Sequence, residues 1–376
     1  MKKLLMIPGP TNVPERVLAA MCRPMIGHRS EDFHNLFKGI VEKAKLLFRT
    51  SGDVVLLTSS GTGGVEASVQ NLIKRGDKAI VPIYGEFCSR AADAIERVGG
   101  EVIRVEARLG SVPRVEELRE AFEEAGEVKL LFIVYNETST GVAFRRIREA
   151  SKLASEHGAY FVVDAISNFA GDELEFDSMG MDLCVAASQK CLAAPPGVSL
   201  IALSKRVREY LEGERPTTLY FDLIRHLKYE EKCETPFTPS VPIFQALDEA
   251  LELALEEGLE RRWERHRRCS NAFYSAFEAM GLTLFAEEDA RSTTTIAVRY
   301  PEGVDDEVFR RKVEERGVLI AGGFGGLKGK VFRVGCMGIV NKEMVLKTVD
   351  AIAEAMKDFG VEVDKEAALE AVESEC

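Results

Sequence analysis

The sequence predicts an α/β protein with a mainly parallel central sheet wrapped by helices, followed by a smaller C-terminal α+β domain. Three observations carry that expectation. Short apolar runs rich in β-branched residues recur along residues 54–204, segments of helical period lie between them, and the pattern changes after residue 212. Strands buried on both faces read as continuous apolar runs, and a parallel pair needs a crossover, usually a helix, between its members.

The runs are VVLLT at 54–58, KAIVPI at 78–83, EVIRVEA at 101–107, LLFIVYN at 130–136 and AYFVVDA at 159–165, then the shorter LCVAA at 183–187 and VSLIALS at 198–204. Between them, GVEASVQNLIKRG, SRAADAIERVGG and RRIREASKLASEHG each close on a glycine, the residue that most readily takes the left-handed backbone at a helix end. From Glu212 to Pro242 prolines, aromatics and threonines dissolve the pattern. One long charged helix, ALDEALELALEEGLERRWERHRRCSNAFYSAFEAMG, is expected next, leading to candidate strands TTIAVRY, GVLIAGG and VFRVGC. In a parallel sheet, ligands bind beyond the carboxyl ends of the strands, so the polar residues just after each run are the ones to inspect.

The bulk of the chain excludes several partners. At 376 residues and 46% hydrophobic it can bury a large core, and a net charge of -12 repels nucleic acid and anionic membrane surfaces. The basic run Arg261 to Arg268 follows an acidic stretch and reads as a solvated helix face. Eight cysteines (Cys22, Cys88, Cys184, Cys191, Cys233, Cys269, Cys336, Cys376) are scattered without a CxxC pair, so neither a metal site nor a disulfide framework is expected. Prolines interrupt MKKLLMIPGPTNVP well short of a signal-peptide core, and no later run reaches membrane-span length; the cytoplasm is the expected compartment.

Three stretches carry chemistry. VVLLT runs into SSGTGG and then a helix, placing Ser60, Gly61, Thr62 and Gly63 at a helix N-terminus, where free N–H groups bind anions; the plain alternative is a turn with its N-cap. Glu66 stands where a dinucleotide fingerprint would have its third glycine, and there is no GK[ST] ending. FVVDAISNFAG puts Asp164 at a strand end, where it would accept a hydrogen bond from a ligand or cap the next turn. In VAASQKCLAAPPGVSLIALS, Lys190 follows an apolar strand; an isolated lysine there is ordinarily a snorkelling surface residue, but a desolvated one has a lowered pKa and attacks aldehydes. Together they supply the three fixed points of pyridoxal phosphate: the helix N-terminus for its phosphate, Asp164 for its protonated ring nitrogen, Lys190 for its aldehyde.

The stretches PGPTNVPERVL, SSGTGGVEA, NETSTG, VVDAIS, SQKCLAAPPGVSLIALS and FRVGCMG stand in the order and spacing of a known family. Nearly the whole chain resembles the class V aminotransferases of fold type I, the pyridoxal-phosphate transferase fold, and within them the alanine-glyoxylate and serine-pyruvate group. The resemblance implies that Ser60, Gly61, Thr62 and Gln189 hold the phosphate, that Phe87 stacks on the cofactor ring where close relatives often carry Trp, that Ile166 packs on its other face, and that Thr138 meets the ring edge. It implies that Thr238 reaches the phosphate of a neighbouring subunit, hence a homodimer with shared sites, and that Arg333 binds the substrate α-carboxylate. The backbone at Gly9 and Pro10 would line the substrate pocket, with His28 or Arg29 in place to read a substrate side chain. The implied division is an N-terminal segment (1–14) lining the substrate site, a large cofactor-binding domain (15–250), and a connecting helix with a small C-terminal domain (251–376).

The activity so implied is transfer of an amino group from a small amino acid (alanine, serine or aspartate) to a 2-oxo acid (glyoxylate or pyruvate), in ping-pong fashion. Three rival readings fit the sequence less well. A cysteine desulfurase or other lyase of the same fold needs a thiolate on a mobile loop, and GGFGGLKGK before Arg333 has no cysteine. A nicotinamide-dependent dehydrogenase would need the third glycine that this chain replaces with Glu66, and the match around Lys190 also argues against it. A non-catalytic binding protein would have no reason to keep Asp164, Lys190 and Arg333 together.

Overall fold

All seven apolar runs form one sheet in the computed structural model, which describes residues 3–376; the first two residues of the 1–14 segment lie outside the described residues. The strands are β1 (Asp53–Leu57), β2 (Lys78–Ile83), β3 (Glu101–Glu106), β4 (Leu130–Val134), β5 (Tyr160–Asp164), β6 (Leu183–Ala187) and β7 (Ser199–Leu203). Their order is β1-β7-β6-β5-β4-β2-β3. β7 runs antiparallel to both β1 and β6, and the remaining pairs are parallel, as helical crossovers require. Every residue of β4, β6 and β7 is buried, whereas β3, at the edge, carries exposed Glu101, Arg104 and Glu106 among half-buried valine and isoleucine.

The helical segments appear as α1 (Gly61–Leu72), α2 (Glu86–Arg97) and α3 (Ile147–Glu156). After α3 the chain turns at Gly158, whose φ of 69° is the left-handed exit that the sequence pattern suggested. The long helix expected over 246–281 is a correction: it is two helices, α4 (Val241–Glu257) and α5 (Leu259–Ala279). The break is at Gly258, with φ 83° and ψ 136°, conformations that end one helix and start the next at an angle. Within the stretch where periodicity faded lies a further helix, Leu223–Glu230, capped by the Asp222 side chain accepting from the Arg225 N–H.

The C-terminal part builds a three-stranded antiparallel sheet from β8 (Thr295–Arg299), β9 (Ala321–Gly322) and β10 (Val331–Gly335), with β10 central. It has its own apolar core, which includes Phe273, Phe277, Phe309, Phe332 and Ile352, and which Met6 joins from the N-terminal segment. That segment is tied down by parallel pairing of Leu4–Leu5 with Val318–Leu319, and by the Gly335 N–H donating to the Met6 carbonyl. All eight cysteines are free thiols. No described helix is long and apolar enough to cross a membrane, and no metal-binding cluster occurs among the described residues.

Candidate active site

Residues just past the carboxyl ends of β1, β4, β5 and β6 line a cavity of about 330 Å³. The sheet places it there because each strand end delivers a loop to the same edge. Nine of the residues singled out by sequence reach its wall: Ser60, Gly61, Thr62, Phe87, Thr138, Asp164, Ile166, Gln189 and Lys190.

On one side, the Ser60 hydroxyl accepts from the Gly63 N–H at 3.4 Å as the N-cap of α1. The N–H groups of Gly61 and Thr62, in the first turn, have no acceptor within the helix and add to its positive end. Gly61 is pressed against the neighbouring loop: a Cβ there would stand 2.7 Å from Ile166 Cδ1 and 3.2 Å from Ala187 Cβ. Glycine is therefore the residue that lets the anion-binding turn approach the floor formed by Ile166.

Asp164 ends β5, is buried, and accepts from the Ile166 N–H at 2.8 Å. Burial pushes its carboxyl up to about 7, against the pull of that N–H and of Lys190. Lys190 touches the cavity and is otherwise enclosed. Burial draws its ammonium down to about 8, with Arg333 adding to the shift. Its Nζ donates to the Pro8 carbonyl, and a Cβ on Gly9 would lie 2.7 Å from that same Nζ, so the N-terminal segment packs directly on the lysine. Thr11 holds the other end, its hydroxyl donating to the Lys190 carbonyl at 3.2 Å. Beside it, the Gln189 amide oxygen is buried without a partner among the described residues.

Phe87 stacks on Phe324 (6.1 Å, 17°) at the mouth. Arg333 comes from β10, donating from Nη1 to the Thr138 carbonyl at 2.8 Å and from Nε to the Gly322 carbonyl at 2.8 Å, so it stands at the rim beside a cavity-lining residue. Thr238 and His28 are not brought in: Thr238 is exposed, His28 is partly exposed in a turn, and neither lines the cavity of its own chain. Arg29 is engaged elsewhere, with Glu234 at 3.1 Å and the Thr235 carbonyl at 2.7 Å.

Two residues went unremarked in the sequence. Asn136 lines the cavity, donates to Ser167 and Thr294 hydroxyls at 2.7 Å each, and accepts from Ser292, joining the large sheet to the C-terminal part. Glu137, wholly buried, accepts from the N–H groups of Phe87 (2.8 Å), Cys88 (3.0 Å) and Ser139 (2.9 Å) and so fixes the start of α2 that carries Phe87. Both stand in NETSTG, two and three residues past the end of a five-residue apolar strand, and that closeness to a strand end was the available signal.

The donor set fits pyridoxal phosphate: N–H groups at a helix end for a phosphate, a buried carboxylate for a cationic ring nitrogen, apolar contacts for the ring, and a depressed amine for an aldehyde. It does not fit a thiol-based lyase. Cys336 is buried just past the end of β10 with its thiol toward the His266 carbonyl at 3.7 Å, and burial raises its pKa.

The Aminotransferase class-V family model matches residues 4–332. An uncharacterized aminotransferase of Methanocaldococcus jannaschii is 42% identical over 372 residues, spanning 98% of this chain and 96% of its own. A serine–glyoxylate aminotransferase of Methylorubrum extorquens is 33% identical over 371 residues, spanning 96% and 92%. The solved ureidoglycine-glyoxylate aminotransferase of Bacillus subtilis superimposes with a TM-score of 0.94 at 30% identity, covering 100% of this chain and 98% of that one.

Proposed function

The chain belongs to the class V aminotransferases, which are pyridoxal-phosphate enzymes, and from that premise we propose that it moves the amino group of a small amino acid (alanine, serine or aspartate) to glyoxylate or pyruvate by a ping-pong sequence. The observation that carries this reading is that Lys190 and Asp164, from different loops, line one cavity, while Arg333 is hydrogen-bonded to the carbonyl of Thr138, which lines it too. Membership also displaces the dehydrogenase alternative.

Bound there, pyridoxal phosphate supplies an aldehyde for the amino group and a ring that withdraws electrons from the substrate's Cα. Gly61, Thr62 and Gln189 hold its phosphate, with Thr238 of a second copy completing the grip in a homodimer. Asp164 keeps the ring nitrogen protonated, Phe87 and Ile166 cover the two faces, and Thr138 meets the ring edge. Arg333 takes the substrate α-carboxylate, with Gly9, packed on Lys190, as part of the substrate pocket. Lys190 would hold the aldehyde and, with its amine free, Nζ would accept the substrate's α-proton and give it back as general base and acid. Burial suits Lys190 to this exchange, since a depressed amine both takes and gives a proton near neutral pH. The protein is proposed to work in the cytoplasm, and His28 to tune side-chain preference.

The test is a half-reaction screen that follows loss of the cofactor's lysine-bound absorbance with each amino acid, then its return with each oxo acid. Parallel lines in double-reciprocal plots are expected with alanine or serine as donor and glyoxylate as acceptor. Reaction confined to glutamate would overturn the donor class, and sulfide release from cysteine would overturn the transferase reading in favour of a lyase.

Two further results are expected. Arg333→Lys, which loses the planar two-pronged donor, should raise KM for the amino donor about 10- to 100-fold, the worth of a hydrogen bond to a charged group. An unchanged KM would move carboxylate binding elsewhere. The second concerns pH. Only the neutral amine adds to an aldehyde, and with Lys190 titrating at about 8 rather than 10.5, roughly one molecule in ten is competent at pH 7, against fewer than about one in a thousand for an ordinary lysine. Reconstitution of stripped protein with pyridoxal phosphate should therefore quicken through about pH 7 to 8.5 and level off above about pH 9. A rate still climbing at pH 10 would show an undepressed lysine.

A further inference from the structure

We propose that Arg262, a buried arginine on α5 that lies outside the cavity, is a positioning residue: it pins together the loops leaving β5 and β6 and so fixes the spacing between Asp164 and Lys190. Arg262 is only 4% exposed. Its Nε donates to the Ala170 carbonyl at 2.9 Å, its Nη2 to the Cys191 carbonyl, and its Nη1 to Glu257 at 2.7 Å. Ala170 belongs to the loop that begins with Asp164, Ile166 and Ser167. Cys191 follows Lys190 directly.

Both loops are bent at residues that resist bending. Ala170 has φ 63° and Ala193 has φ 57°, left-handed conformations on non-glycine residues. Such a conformation is strained for an alanine and persists only where the surroundings over-determine it. The Ala193 N–H closes on the Lys190 carbonyl at 2.9 Å, so the second bend is the turn that presents the lysine. The loops also touch: the Cys191 thiol donates to the Ser167 carbonyl at 3.2 Å, and Gly171 has no room for a Cβ because the Cys191 sulfur is against it.

The residue type suits the task. A guanidinium offers a planar fork that meets two carbonyls and a carboxylate at once, while lysine offers a single point. Burying that charge is costly unless it is paired, and Glu257 pairs it. Glu257 also binds Arg265 at 2.6 Å, and Arg265 donates to the Gly338 carbonyl at 3.1 Å, three residues past the strand that bears Arg333. One partly buried ion cluster, with Arg262 at its enclosed end, thus braces the backbone behind the acid, the amine and the carboxylate receptor. In an enzyme that works by alignment, about 1 Å of misplacement can cost on the order of 100-fold in rate.

The inference rests on Lys190 and Asp164 having the roles proposed above, and the experiment separates the two. Arg262→Lys and Arg262→Met are stripped of cofactor and mixed with pyridoxal phosphate, and three quantities are read: thermal unfolding, the rate at which the lysine-bound absorbance appears, and the circular dichroism induced in that band. For Arg262→Lys we expect a folded protein whose formation rate falls about tenfold, with an induced signal cut by half or more and kcat falling more than KM rises. Arg262→Met should be worse in each respect; where it does not fold, Arg262→Lys alone decides. A folded Arg262→Lys with wild-type formation rate and wild-type induced signal overturns the pin and leaves Arg262 as packing. If wild-type protein itself forms no band with pyridoxal phosphate, the functional reading fails instead.

Discussion

Lys190→Ala is expected to lower turnover by at least about 10⁴-fold, the upper range for a positioned acid–base group, because the same nitrogen both anchors the cofactor and moves the proton. The variant should bind pyridoxal phosphate without forming the lysine-bound absorbance, which distinguishes a lost amine from a lost fold. Its fold should survive. The side chain is held by one carbonyl, that of Pro8, and by the close contact with Gly9, and its removal deletes a partly desolvated charge. Added methylamine, small enough to enter the cavity, should return part of the rate. Full activity in Lys190→Ala would sink the assignment at once.

Asp164→Asn is expected to lower kcat by about 10²- to 10⁴-fold, the usual cost of cutting one partner from a buried charged pair. Asparagine keeps the shape and the acceptor for the Ile166 N–H, but it cannot hold a proton on the ring nitrogen. Stability should move the other way. The Asp164 carboxyl is raised by burial to about 7 in the folded chain, above the 3.8 of an ordinary one. A carboxyl raised in this way makes the folded state lose stability as pH rises from 3.8 to about 7, and the loss persists above. The cofactor-free variant should therefore melt higher than the cofactor-free wild type at pH 8, and the advantage should fade as pH falls toward 4. Opposite signs in melting temperature and in kcat are the signature of a group kept for chemistry at the fold's expense. A variant that both melts lower and retains activity would mark Asp164 as a structural cap.

How much of this was legible in the sequence depended on whether a signal was local. The strands were, because runs such as LLFIV and LCVAA are buried on both faces and so carry no polar interruption. Lys190 and Asp164 were legible through position, each at or just past such a run. The break at Gly258 was not, since a lone glycine inside a helical pattern costs only about 1 kcal/mol and the apolar period resumes beyond it. Asn136 and Glu137 were hidden for another reason: their partners, Ser292, Thr294 and the N–H groups of α2, are far away in sequence, and beyond the nearby strand end nothing marks a polar residue that the fold will bury. Arg262 was read as part of an exposed basic face, and only its contacts set it apart from its neighbours. Thr238 and His28 were singled out through the resemblance, and neither lines the cavity of its own chain.

Pairing Leu4–Leu5 with Val318–Leu319, and seating Pro8 and Gly9 on Lys190, also sets a timetable for biosynthesis. Residues 4–11 leave the ribosome long before the strand they pair with has been made, and closing so long a loop is slow. The large sheet is complete by residue 203 and can collapse first. During that interval the lysine stands without its carbonyl partner, and the enclosure that lowers its pKa is completed only when Pro8 and Gly9 close over it.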